Sequence, residues 1–174
     1  MIFRLSFAIC VLLAADARGQ TNEEYRVKAA FLYNLTKFVE WPSYAFKAPH
    51  AGIEICILGK DPFGDSLTEA VNGKVLEGHA FSIRHIEDAQ QAAGCQVLFV
   101  SASERKRLRP ILDSVRYAAI LTVGDIDGFT SEGGIVNFKI EGGRVRLQIN
   151  VAAADQARLG MSSKLLSLAE IVKK

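Results

Sequence analysis

Ile53-Glu54-Ile55-Cys56-Ile57-Leu58-Gly59-Lys60-Asp61-Pro62 reads as a strand running into the start of a helix. β-branched and apolar side chains dominate its first six residues, and Gly59 and Pro62 bound them. Asp61 suits an N-cap and Pro62 the first helical position, so a helix follows to about residue 72. The same alternation continues downstream. Residues 80–85 read as a second strand, with a short helix near 87–93. Residues 96–100 (Gln-Val-Leu-Phe-Val) are an apolar run of the kind buried on both faces of a parallel sheet. A helix over 101–116 and a strand over 118–123 complete the series. Strands separated by helices imply parallel pairing, and so a layered α/β domain with a mostly parallel sheet.

Toward the C-terminus the pattern changes. Residues 135–140 and 145–149 flank Glu141-Gly142-Gly143 and predict a β-hairpin, because a Gly-Gly pair supplies the positive φ that a tight turn demands. Residues 152–159 and 162–172 read as helices, the second amphipathic through Leu165, Leu166, Leu168, Ala169 and Val172. Before the first strand, residues 23–41 predict a helix ending at Trp41-Pro42, since proline disfavours helical geometry in the residue before it. Val27, Ala30, Phe31, Asn34, Leu35 and Phe38 form one stripe of this helix. Tyr25, Ala29, Leu32 and Thr36 lie nearly opposite. Such a second stripe is buried within the subunit or meets another protein; both readings stand at this stage.

The N-terminus carries an address. Arg4, the apolar run over 5–15 and the small residues Ala15 and Ala17 have the order of a cleavable export signal. The run is about eleven residues, where a membrane-spanning helix needs roughly twenty, so removal rather than anchoring is expected. Cleavage falls between about 17 and 20. Residues 1–20 are then the signal and 21–174 a single domain with no membrane insertion. A chain of 174 residues that is 49% hydrophobic with net charge +2 suits one core and gives no support to nucleic-acid binding. The one basic cluster, Arg105-Lys106-Arg107 with Arg109, reads as a solvated helix face.

Loss of Cys10 with the signal leaves Cys56 and Cys95. In an oxidising compartment an even pair reads as a disulfide, the alternative being two buried free thiols. In the common strand order 2-1-3-4-5 the two strands that carry them are neighbours, which favours the bridge. Catalytic patterns are absent: there is no Gly-x-Ser-x-Gly, no His-Glu-x-x-His and no dinucleotide fingerprint. Gly59 to Gly64 lacks the ending of a phosphate loop. Asp125-Ile126-Asp127-Gly128 lacks the later ligands of a calcium loop and reads as a turn. His50, His79 and His85 are dispersed without metal spacing. No enzyme, metal or cofactor is expected. If a small molecule binds, the crevice at the strand ends, near Gly59, Lys60, Ser101 and Gly124, is its expected place.

Residues 28–42 (Lys-Ala-Ala-Phe-Leu-Tyr-Asn-Leu-Thr-Lys-Phe-Val-Glu-Trp-Pro), with 56–64, the Arg146-Leu147-Gln148-Ile149-Asn150 ending of the hairpin and 162–166, resemble the YfiR family of small periplasmic proteins. The resemblance spans nearly the whole chain after the signal. It implies a Rossmann-like three-layer α/β fold and a periplasmic, non-enzymatic repressor. Such a repressor binds the periplasmic sensor domain of an inner-membrane diguanylate cyclase, limiting cyclic-di-GMP signalling and biofilm formation. It also implies a tendency to homodimerise and redox sensitivity through cysteines. Cys56 and Cys95 match the family's first disulfide by position, and no cysteine remains for the second pair that some members have. Apolar contacts for partner or dimer are expected from the outer face of the first helix, at Tyr25 and Leu32, and from Leu165, Leu168 and Ile171. The competing reading is a periplasmic small-ligand-binding protein.

Overall fold

The computed structural model describes residues 22–48 and 51–172. The export segment and His50 lie outside the described residues. Strands β2 (Ile53–Leu58), β4 (His79–Ile86), β5 (Val97–Val100) and β6 (Leu121–Gly124) pair in parallel in the order β4-β2-β5-β6. β7 (Val136–Glu141) adds in parallel to β6, and β8 (Arg144–Asn150) returns antiparallel through a turn at Gly142 and Gly143, φ 56° and 71°. The two positive φ values are those of the two-residue turn that glycine makes accessible. β10 (Glu170–Val172) pairs in parallel with β8 at one edge, and β3 (Val75–Leu76) caps the other edge, antiparallel to β4.

Strand alternation sends successive side chains to opposite faces, and each face has its own helices. Ile55, Ile57, Val97, Phe99, Leu121 and Val123 pack on one side. They meet helix α1 (22–36) through Ala29, Leu32 and Leu35, and α2 (Asp65–Val71) through Leu67 and Val71. Helices α4 (Val151–Gln156) and α5 (Ser163–Leu166) extend this layer. On the other side Cys56, Leu58, Leu98 and Val100 meet α3 (Leu108–Val115), which follows a 3-10 turn over Ala102–Arg107. The result is a mixed α/β domain with a central, mostly parallel sheet and helices on it.

Several expected elements are shorter or different. The first helix stops at residue 36, not 41. Thr36 Oγ1 donates to the Tyr33 carbonyl, and the Lys37 and Phe38 amides bond back three residues, tightening the last turn. Val39 and Glu40 then form β1, antiparallel to β9 (Gly160–Met161). Asp61 does not cap α2. Its Oδ1 accepts from the Phe63 amide in a local turn, and the helix starts after Gly64, φ 55°. Residues 162–172 are not one helix: Ser162 caps α5, which ends at Leu166, and the Glu170–Val172 segment joins the sheet. In both misread helices, tertiary pairing of a short β-prone run overrides helical periodicity. No helix among the described residues is long and apolar enough to cross a membrane.

Candidate functional site

The carboxyl ends of the central strands come first, because α/β sheets commonly bind ligands there. Here the chain fills the space with itself. Ser103 Oγ accepts from the Lys60 amide at 2.9 Å, and an added Cβ on Gly59 (φ 88°) would sit 2.4 Å from that oxygen. A Cβ on Gly124 would sit 2.5 Å from the Phe129 ring, which is fully buried. Ser101 is buried, and its hydroxyl accepts from the Ser103 amide. Gly59, Lys60, Ser101 and Gly124 stand at the carboxyl ends of the adjacent strands β2, β5 and β6. Ser103 and Glu104 pack against Gly59, and Phe129 packs against Gly124.

Beside it lies a buried polar group whose members sequence reading left apart. The Asp125 carboxylate, after β6, accepts from the Tyr25 hydroxyl and the Lys28 ammonium, each at 2.8 Å. Lys28 also pairs with Glu24, and Lys28 and Asp125 are almost wholly enclosed. Burial, then the hydrogen bond to Asp125, pushes the Tyr25 phenol well above its ordinary range. Asp125 Oδ1 has no partner among the described residues. The group ties α1 to the sheet; with Tyr25 used this way, its hydroxyl is not a free contact.

Cys56, in β2, and Cys95, just before β5, form a disulfide with Cα atoms 6.0 Å apart. Arg84 covers it, donating to Glu54 at 2.8 Å and lying 3.3 Å from the Cys95 sulfur. The hydrogen bond to Glu54 raises the Arg84 pKa further. Glu54, Cys56 and Cys95 are the one His/Cys/Asp/Glu group among the described residues close enough to share a metal, and the two sulfurs are bonded to each other. The feature is a staple, shut away from solvent.

The open chemistry is at the β8–β10 end of the sheet. An apolar groove of about 280 Å³ runs between α1 and β8, lined by Phe31, Leu35, Phe38, Val145, Leu147, Leu165 and Leu168. Leu168 is 70% exposed at its rim, and Ile171 37% exposed on β10. Leu165, by contrast, is 3% exposed and belongs to the core, as does Leu32 at 0%. Those two positions are corrections: the stripe of Tyr25, Ala29, Leu32 and Thr36 turns inward against the sheet. The stripe containing Phe31 and Asn34 is the one that meets the groove. Helical periodicity shows that α1 has two apolar faces but not which one the sheet covers.

A family model described as YfiR/HmsC-like matches residues 25–170. The chain belongs to this family. No curated protein matches the chain. Among solved structures it is similar to a conserved domain protein from Vibrio cholerae O1 biovar El Tor str. N16961, with TM-score 0.51 and 13% identity over 70% of this chain. The chain spans 55% of that protein's length, and the likeness concerns the fold alone. The family's members are regulators rather than catalysts, and membership supports a periplasmic regulatory role in cyclic-di-GMP signalling.

Proposed function

We propose that the protein is a periplasmic repressor that binds the periplasmic sensor domain of an inner-membrane diguanylate cyclase. It thereby limits cyclic-di-GMP production and biofilm formation, acting by binding and not by catalysis. Its sheet and flanking helices form a Rossmann-like three-layer domain. Residues 1–20 direct export and are removed, and the mature chain works as a homodimer. One observation supports this reading above the others: in a member of this family, side chains pack against the strand-end glycines while Leu168 and Ile171 stand exposed beside an apolar groove. A soluble domain changes a receptor's output only by binding one receptor state better than another, and an exposed apolar rim supplies the contact area for doing so.

Deletion of the gene, with cellular cyclic-di-GMP as the readout, tests the repressor directly. The level should rise, and the mature chain should capture the cyclase sensor domain in a pull-down from membranes. An unchanged level together with no capture refutes the reading.

A small-ligand role has one specific observation in its favour. A cavity of about 290 Å³ beside β1 is lined by Trp41, Phe46, Glu40, Glu77 and His79, with the Trp41 indole held by the Gln96 carbonyl at 3.2 Å. A ligand there would lie away from the strand ends where sequence reading placed it. Calorimetric titration with periplasmic metabolite mixtures, compared between the native chain and Trp41→Ala, would separate this reading from the first.

A further inference from the structure

Half of one strand in this sheet has no neighbour. β8 pairs with β7 along its length, from Glu141↔Arg144 to Val136↔Ile149. On its other side β10 covers only Gln148, Ile149 and Asn150. The Asn150 amide donates to the Ile135 carbonyl, on the β7 side. Backbone groups alternate in direction along an antiparallel ladder, so the even-numbered members of β8 bond toward β7 and the odd-numbered ones point away. Ile149 meets β10. The Leu147 C=O lies where the parallel register with β10 brings the Glu170 amide, whereas the N–H and C=O of Val145 and the N–H of Leu147 face outward beyond the end of β10, with no ladder partner among the described residues.

Two further features converge on this open edge. On one face of the sheet, Val145 and Leu147 line the groove with Phe31, Phe38 and Leu168. Arg144 and Arg146 alternate with them along β8, are exposed and form no ion pair among the described residues; Arg146 also borders the groove. We propose that an extended segment of the receptor adds here as a strand on β8, with apolar residues alternating with acidic ones. Alternation sends every second side chain into the groove and the others beside the arginines. Backbone pairing supplies affinity, while the groove and the two cations select the sequence. A docked helix would leave the Val145 groups and the Leu147 N–H unpaired. A second copy of this chain would bring Arg144 and Arg146 against their own counterparts, where like charges repel. The proposal rests on the repressor reading and names the part of the partner that is held.

The probe is a fluorescein-labelled seven-residue peptide alternating valine and glutamate, titrated against the mature chain by fluorescence anisotropy. Binding is expected, at least about tenfold weaker when lysine replaces glutamate, a ratio of roughly 1.4 kcal/mol. It should vanish when the amides along one strand edge are N-methylated. The R144E/R146E variant, with its thermal midpoint checked against the native chain, should prefer the lysine peptide. Equal binding of the N-methylated and parent peptides, or indifference to peptide charge, overturns the proposal. So does a dimer, seen by sedimentation, that the peptide displaces, since the edge would then belong to a second copy. If the peptide fails to bind while the sensor domain is still captured, the slot is wrong and the repressor reading survives. If the peptide binds but no sensor domain is captured, the repressor reading fails alone.

Discussion

The two ends of this sheet treat their open space in opposite ways. At the carboxyl ends of β2, β5 and β6, Ser103, Glu104 and Phe129 pack against glycines, and nearer the amino end of β5 the disulfide and Arg84 tie β2 to the segment preceding β5. At the β8–β10 edge, Val145 has no ladder partner on its outer side, Leu168 is exposed, and Arg144 and Arg146 form no ion pair, among the described residues. The proposed function assigns protein recognition to the uncovered edge rather than to the strand ends. Exposed edges are ordinarily protected from stray pairing, so one that combines a groove with unpaired cations is best explained by a partner that covers it.

The closed end should carry stability and the open edge should not. Phe129→Ala, which empties a fully buried ring site, should cost about 3–5 kcal/mol in urea unfolding; a loss below about 1 kcal/mol would mean that the strand ends are not tightly filled. Reduction of the Cys56–Cys95 bridge, which closes a loop of 39 positions, should lower stability by roughly 2–4 kcal/mol. A thermal midpoint that ignores reductant, with two titratable thiols in the native chain, would remove the staple from the account.

Tyr25 sharpens the comparison through pH. Its phenol is held neutral in the folded chain, so the unfolded chain releases this proton first. The stability tied to the neutral phenol is complete below about pH 10 and declines as pH rises above that value. Tyr25→Phe should make the alkaline fall in thermal midpoint shallower; an unchanged slope would place the alkaline sensitivity elsewhere. Smallest of all, Leu168→Glu should shift stability by no more than about 0.5 kcal/mol, since the side chain is exposed. A larger loss would show that the open edge is part of the core.

Much of the closed end was legible in the sequence. Continuous apolar runs at 53–58 and 96–100 read as central strands because burial on both faces leaves no polar positions to interrupt them. Their adjacency then brought Cys56 to Cys95. The open edge was harder to read. Glu170-Ile171-Val172 follows four residues of real helix, and only the exposed side of β8 makes it a strand. Val39 and Glu40 were likewise drawn from helix to strand by Gly160 and Met161, more than a hundred residues away. Leu32 and Leu165 sit on apolar stripes that the sequence cannot assign to core or surface. The Lys28–Asp125 pair spans 97 positions and has no local signature.

The central claim is that recognition belongs to the edge and not to the strand ends. Titrating the purified cyclase sensor domain against the mature chain, against L168E/I171E and against Lys60→Glu tests it most directly, because all three sites are exposed enough to leave folding intact. The account expects L168E/I171E to bind at least about tenfold more weakly and Lys60→Glu to bind as the native chain does. Native affinity in the edge variant, with the loss appearing at Lys60, would contradict it.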